Sequence, residues 1–117
     1  MRDKNILVVD YVSDRVIFFI ERFGHHKLDI TENSNDAVRY LVDNIYDCLF
    51  LGGELGKYGG NCCDVAKFLC EHDENPNFES LIILHALDIE SAGYIIKLLP
   101  QVQYVPYSES ALSALNI

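Results

Sequence analysis

The sequence predicts an α/β fold, a parallel five-stranded sheet with helices on both faces. Three observations predict it. Ile6–Val9, Cys48–Leu51 and Leu81–Leu84 are unbroken apolar runs of four, the mark of strands buried on both sides. Between such runs, apolar residues recur at the three- and four-residue spacing of an amphipathic helix. The two periods alternate five times, strand then helix, which implies parallel pairing through right-handed crossovers.

The elements follow in order. Ile6–Val9 is the first strand, and Ser13 is the expected N-cap of a helix carrying Val16, Ile17, Phe19, Ile20 and Phe23. Gly24 is placed to stop it. Leu28–Thr31 reads as a short strand. Asn33 or Ser34 is suited to cap a helix with Ala37, Val38, Leu41 and Val42 on one side. Cys48–Leu51 is the third strand. A turn rich in glycine follows, with Gly52, Gly53, Gly56, Gly59 and Gly60, five of the chain's seven. Val65, Ala66, Phe68, Leu69 and Cys70 then fit a helix. Residues 71–80, EHDENPNFES, read as a polar loop containing Pro76. Leu81–Leu84 is the fourth strand. Ile89–Leu99 is a very apolar helix stopped by Pro100. Val102–Val105 is the last strand, and Ser108 is the expected cap of a closing helix that reaches Ala114.

At 117 residues the chain fits one domain, 1–117. Its 18 acidic and 9 basic residues leave a net charge of −9. Such a surface repels phosphate backbones and anionic bilayers, so neither nucleic acid nor a membrane is an expected partner. No apolar run reaches the roughly 20 residues of a membrane span. The amino-terminal MRDKNILVVD does not read as a secretion signal. Cys48, Cys62, Cys63 and Cys70 form no C-x-x-C pair. They read as reduced, mostly buried thiols of a cytoplasmic protein. Two other roles stay open: a metal site from Cys63, Cys70 and His72, and oxidant-sensitive thiols at Cys62 and Cys63, lowered in pKa by a helix start.

The residues ILVVD (Ile6–Asp10), YDCLFL (Tyr46–Leu51), LIILHA (Leu81–Ala86) and Val105-Pro106-Tyr107 resemble the CheY-like receiver domains of response regulators, over essentially the whole length. The resemblance implies a flavodoxin-like sheet of order 2-1-3-4-5. It also implies a phosphorylation chemistry. In receivers an aspartate at the end of the third strand takes the phosphoryl group, helped by a divalent cation, an acidic pair, a lysine and a hydroxyl on strand four. Here the acid pair becomes Asp10 and Tyr11. The acceptor position falls on Gly52, the hydroxyl position on His85 and the lysine position on Val105. A more local similarity joins GGELGKYGGNCCDVAKFL and HALDIESAGYIIKLL to the cyclic-phosphate-processing branch of the same superfamily.

These matches imply a non-phosphorylatable pseudo-receiver, a two-component or phosphorelay signalling module without enzymatic activity and without a required cofactor. With no length left for an output segment, it is expected to act in trans through protein contacts or self-association. The expected docking face is the one formed by the helix at 89–99, the last strand and the closing helix, with Tyr94, Ile95, Leu98, Tyr104 and Tyr107. The alternative is a degenerate enzyme acting on a cyclic or terminal phosphate. It would draw on His85, Glu54 and Asp88, with Asp10 as a ligand for magnesium. A third reading is a small-ligand sensor using space vacated beside Tyr11 and His85. Structural roles compete with all of these. His85 suits a strand-end histidine, partly buried and satisfied by a neighbouring carbonyl or acid, and Asp10 a carboxylate accepting backbone N–H bonds. The glycine turn suits a loop relaxed after its charges were lost. It misses the P-loop spacing, and Glu54 would repel a phosphate.

Overall fold

The structure is a computed structural model and describes residues 3–117. Strands β1 (Asn5–Val9), β2 (Lys27–Thr31), β3 (Cys48–Leu51), β4 (Leu81–Leu84) and β5 (Gln103–Tyr104) form one parallel sheet in the order β2-β1-β3-β4-β5. Helices α1 (Ser13–Phe23), α2 (Ser34–Asp43), α3 (Gly56–Gly59), α4 (Cys62–Glu71), α5 (Ile89–Leu98) and α6 (Glu109–Ser113) connect and cover it. The flavodoxin-like arrangement expected from the sequence is the one observed. Among the described residues no helix is long and apolar enough to cross a membrane.

The apolar runs divide between two cores because successive strand residues point to opposite faces. Leu7, Val9, Leu49, Leu51, Ile82 and Leu84 pack with α2, α4 and α5. Ile6, Val8, Cys48, Phe50 and Ile83 pack on the other side with Phe18, Phe19 and Phe23 of α1 and Leu112 of α6. The Phe19 and Phe50 rings lie 4.9 Å apart. The register is level across the sheet centre: Val9 pairs with Leu51, and Leu51 pairs with Leu84.

Several elements differ from expectation. Ser13 does not cap α1. Val12 holds the N-cap position, where its apolar side chain can make no cap bond, and Asp10 accepts the amides of Tyr11 and Val12 just before the helix. Asn33, not Ser34, caps α2, accepting from the Asp36 amide. The polar loop at 71–80 contains a 3-10 turn, Pro76–Glu79. Its Asn77 is fully buried, donating to the carbonyls of Leu41 and Asn44 and accepting the Tyr46 amide. β5 keeps two residues of the four expected, with Val102 turned onto the core instead.

The expected docking face is also redrawn. Ile95 is fully buried between α5 and the sheet, and Leu98 packs against the same core. Tyr94 borders the groove toward α4, beside Asn61 and Asp64. Tyr107 sets its ring edge-on to Phe18. Tyr104 stays exposed, its hydroxyl donating to the Ala86 carbonyl. The apolar residues that α5 shows to solvent are Ile89, Tyr94 and Ile96.

Candidate functional site

The level register places the residues that follow the three central strands in one row. These are Asp10 after β1, Gly52 after β3 and His85 after β4. The row is held by backbone bonds: the Gly52 amide donates to Val9 at 3.0 Å and the His85 amide to Leu51 at 2.9 Å. The carboxyl edge of a parallel sheet is where such folds gather their chemistry.

Within this row His85 Nε2 lies 2.7 Å from Asp10 Oδ2. Both side chains are sealed, His85 at 0% and Asp10 at 1% exposure. The other carboxylate oxygen, Oδ1, accepts the Tyr11 amide at 2.7 Å and the Val12 amide at 3.1 Å. Arg15 of α1 brings Nη1 to 3.6 Å from Oδ2, with its guanidinium 5.2 Å from the centre of the Tyr107 ring. Asp10 thus accepts backbone N–H bonds as expected, while His85 meets a neighbouring acid but is fully sealed where partial burial was expected.

The electrostatics follow from this packing. Burial among the rings of Phe19, Phe50 and Tyr107 pushes the His85 imidazole below its ordinary pKa, against the pull of Asp10. Burial by itself would raise the Asp10 carboxyl. The hydrogen bond from His85, the Val12 amide and the Arg15 charge outweigh it and hold the group below the usual carboxylate range. The pair is therefore a carboxylate bonded to a neutral imidazole. Nε2 carries the proton, since Asp10 only accepts. Nδ1 is buried with no partner, so a second proton there would leave an orphaned N–H.

This pair explains Gly52. A Cβ built on Gly52 would stand 2.9 Å from His85 Nε2 and 3.0 Å from both Asp10 Oδ2 and the Val9 carbonyl. The imidazole and carboxylate occupy the room a side chain would need. The vacated pocket expected beside Tyr11 and His85 is therefore filled.

The glycine turn is likewise not a relaxed loop. Glu54 and Asn61 form an antiparallel bridge, and the Cys62 amide donates to the Gly53 carbonyl at 2.7 Å. Gly53 has φ +88°, and a Cβ there would meet Asp88 Oδ1 at 2.6 Å and the Ala86 Cβ at 2.8 Å. Gly60 has φ +76° and would meet Ser34 Oγ at 2.5 Å. Both positions need the left-handed region and the missing side chain.

Of Asp10, Glu54, His85 and Asp88, the structure unites Asp10 with His85. Glu54 is exposed and accepts from the Tyr11 hydroxyl and the Gly56 amide. Asp88 is exposed at the N-cap position of α5, without a side-chain cap bond. The residues do not fit a magnesium ion: Asp10's oxygens are engaged, Tyr11 offers a phenol, and Gly52 offers nothing. Among the described residues no group of three or more His, Cys, Asp or Glu is placed to hold a metal. Cys63 and His72 turn to different partners, Cys63 to the Ser91 carbonyl and His72 to Glu74, so the cysteine–histidine site is not assembled. Burial pushes the Cys62 thiol up to about 12 and the Cys63 thiol upward too, the reverse of the lowering expected at a helix start. Val105, at the lysine position, is a half-buried residue of the α1–α6 core. Arg15 was missed by sequence reasoning, although a cation in the first helical turn after Asp10 was visible there.

No protein-family model matches the chain, and no curated protein matches it. Solved structures do. The phosphorylated cyanobacterial phytochrome response regulator RcpA aligns with a TM-score of 0.76 at 14% identity, over 96% of this chain and 87% of that one. The BeF3-activated DrrB receiver domain gives 0.71 at 19%, over 97% and 93%. The Thermotoga maritima response regulator TrrA, in complex with Mg2+ and BeF, gives 0.70 at 22%, over 90% and 87%. This chain has the receiver fold. At these identities the likeness speaks for the fold and not for the chemistry.

Proposed function

We propose that the chain is a pseudo-receiver, a non-phosphorylatable regulatory module that acts by docking to protein and not by catalysis. One observation carries the reading. Gly52 supplies no nucleophile at the acceptor position, and the Asp10–His85 pair fills the space where a side chain would stand. Arg15 offsets the Asp10 charge and His85 donates a hydrogen bond to it from within the chain, where receivers use a divalent cation. The sealed His85 gives the phosphate-processing alternative no support, since a general acid or base must reach its substrate. The reading keeps the cytoplasmic placement expected from the cysteine pattern.

The test is to incubate the protein with acetyl phosphate and magnesium and weigh the intact chain. No mass gain is expected. None is expected of Gly52→Asp either, because the new carboxylate would meet His85 and Asp10 in place of a cation. A gain of one phosphoryl group on the native chain overturns the reading.

A further inference from the structure

A crevice at the carboxyl ends of β1, β2 and β3 gathers a second set of side chains. Its volume is about 300 Å³, and Tyr11, Glu32, Leu55, Gly56, Lys57 and Tyr58 line it. They come from the three connections that leave those strands. The order β2-β1-β3 reverses here, and open α/β sheets bind their ligands at such a switch point. The crevice is distinct from the filled space beside His85, since none of Asp10, Gly52 and His85 lines it.

Its walls are fixed by contacts inside the chain. The Tyr11 hydroxyl donates to Glu54 at 3.3 Å, and the ring lies so near Gly56 that a Cβ there would stand 3.0 Å from it. At the end of α3, a Cβ on Gly59 would stand 2.5 Å from the Glu32 carbonyl oxygen and 2.8 Å from the Leu55 Cβ. The glycine turn is thus seated on both neighbouring connections. Two charges in the crevice are unmatched. Glu32 and Lys57 are of opposite sign, yet neither is in an ion pair among the described residues. Tyr58 is 89% exposed and Tyr11 39%, so neither ring is spent on the core. The Lys57 ammonium lies 5.5 Å from the centre of the Tyr58 ring.

We infer that this crevice binds a free aromatic amino acid. Lys57 takes the carboxylate, Glu32 takes the ammonium, and the Tyr11 and Tyr58 rings take the aromatic side chain. Because the two protein charges do not meet, the gap between them suits a molecule that carries both. A zwitterion has no net charge, so the −9 of the chain does not repel it, whereas a simple carboxylic acid would be repelled. The volume stands at the lower end of small-molecule sites, as a ligand of about a dozen non-hydrogen atoms requires. At ordinary efficiency per atom such a ligand binds with a Kd of about 1 mM. The inference goes beyond the docking reading and does not depend on it. The mass measurement above and the titration below fail separately.

The test is to titrate the native chain with L-phenylalanine up to about 10 mM, well above the expected Kd, and follow backbone amide shifts by NMR. Saturable shifts at residues 55–59 are expected. Phenethylamine, which lacks the carboxylate, and hydrocinnamate, which lacks the ammonium, should each bind at least about tenfold more weakly. Lys57→Gln should lose the preference over phenethylamine, and Glu32→Gln the preference over hydrocinnamate. Thermal midpoints should hold in both variants, because both side chains are exposed. An absence of saturable shifts overturns the proposal. So does an analogue that binds as tightly as phenylalanine, or a preference that survives its variant.

Discussion

His85 Nε2 and Asp10 Oδ2 stand 2.7 Å apart, joining residues separated by 75 positions in the chain and closing the carboxyl edge of the sheet between β1 and β4. Gly52 lies between them in the row and is the residue that their contact constrains most directly. Gly52→Ala should destabilise the fold by about 1–3 kcal/mol, the usual penalty for a methyl forced into packed space. In a His85→Ala background the same change should lose less, by at least about 0.5 kcal/mol, because one of three crowding atoms is gone. Urea unfolding of the four proteins measures the coupling. Equal losses in both backgrounds would mean that the imidazole is not what fills the site.

The same pair sets a pH dependence. His85 is held below its ordinary value of 6.5, so between that value and its folded pKa the unfolded chain binds the extra proton. Stability then rises with pH in that window and is lost as pH falls below about 6.5. Asp10, held below 3.8, adds a second loss that begins only under that value. Denaturation midpoints should therefore decline from pH 7 to pH 5, and His85→Gln should flatten that segment. An unchanged slope in the variant would assign the titration elsewhere.

Asn77 is expected to be among the costliest polar residues to remove. It is fully buried and joins the 3-10 turn to the α2–β3 connection through three backbone partners. Asn77→Ala leaves the Tyr46 amide and two carbonyls without this partner, a loss of about 2–4 kcal/mol. Urea midpoints would read it, and a loss under about 0.5 kcal/mol, the ordinary surface effect, would contradict the role given to this residue.

Two glycines should respond to alanine with opposite signs. Gly93→Ala should stabilise the monomer by up to about 1 kcal/mol, since the helix gains propensity and the Cβ meets open space. Gly53→Ala should destabilise it by about 1–3 kcal/mol, the cost of holding an L side chain at positive φ. Thermal melts provide the comparison.

The central strands were legible because burial on both faces demands unbroken apolar runs, and the positions of β3 and β4 follow from Cys48–Leu51 and Leu81–Leu84 alone. The edge strand β5 was placed within Val102–Val105 but its bounds were not legible, since a two-residue ladder leaves no pattern of its own. Asn77 hid in a polar segment because composition does not reveal which amide turns inward. The sequence placed Asp10 and His85 at one sheet edge, yet also offered Glu54 and Asp88. Choosing among them required the loop path, which depends on the left-handed turns at Gly53 and Gly60. On α5, a dense run of apolar residues did not say which would face out. Ile95 and Ile96 are neighbours with opposite fates, 0% and 37% exposed.

The span between Asp10 and His85 carries a kinetic consequence. A bond between such distant positions rewards the chain only after β1, β3 and β4 have been zipped side by side, so it forms late on the folding route. Weakening it should leave the rate of assembly nearly unchanged and shorten the lifetime of the finished molecule, moving the unfolding limb of the chevron alone. The sealed corner would then work as a latch on an already built sheet.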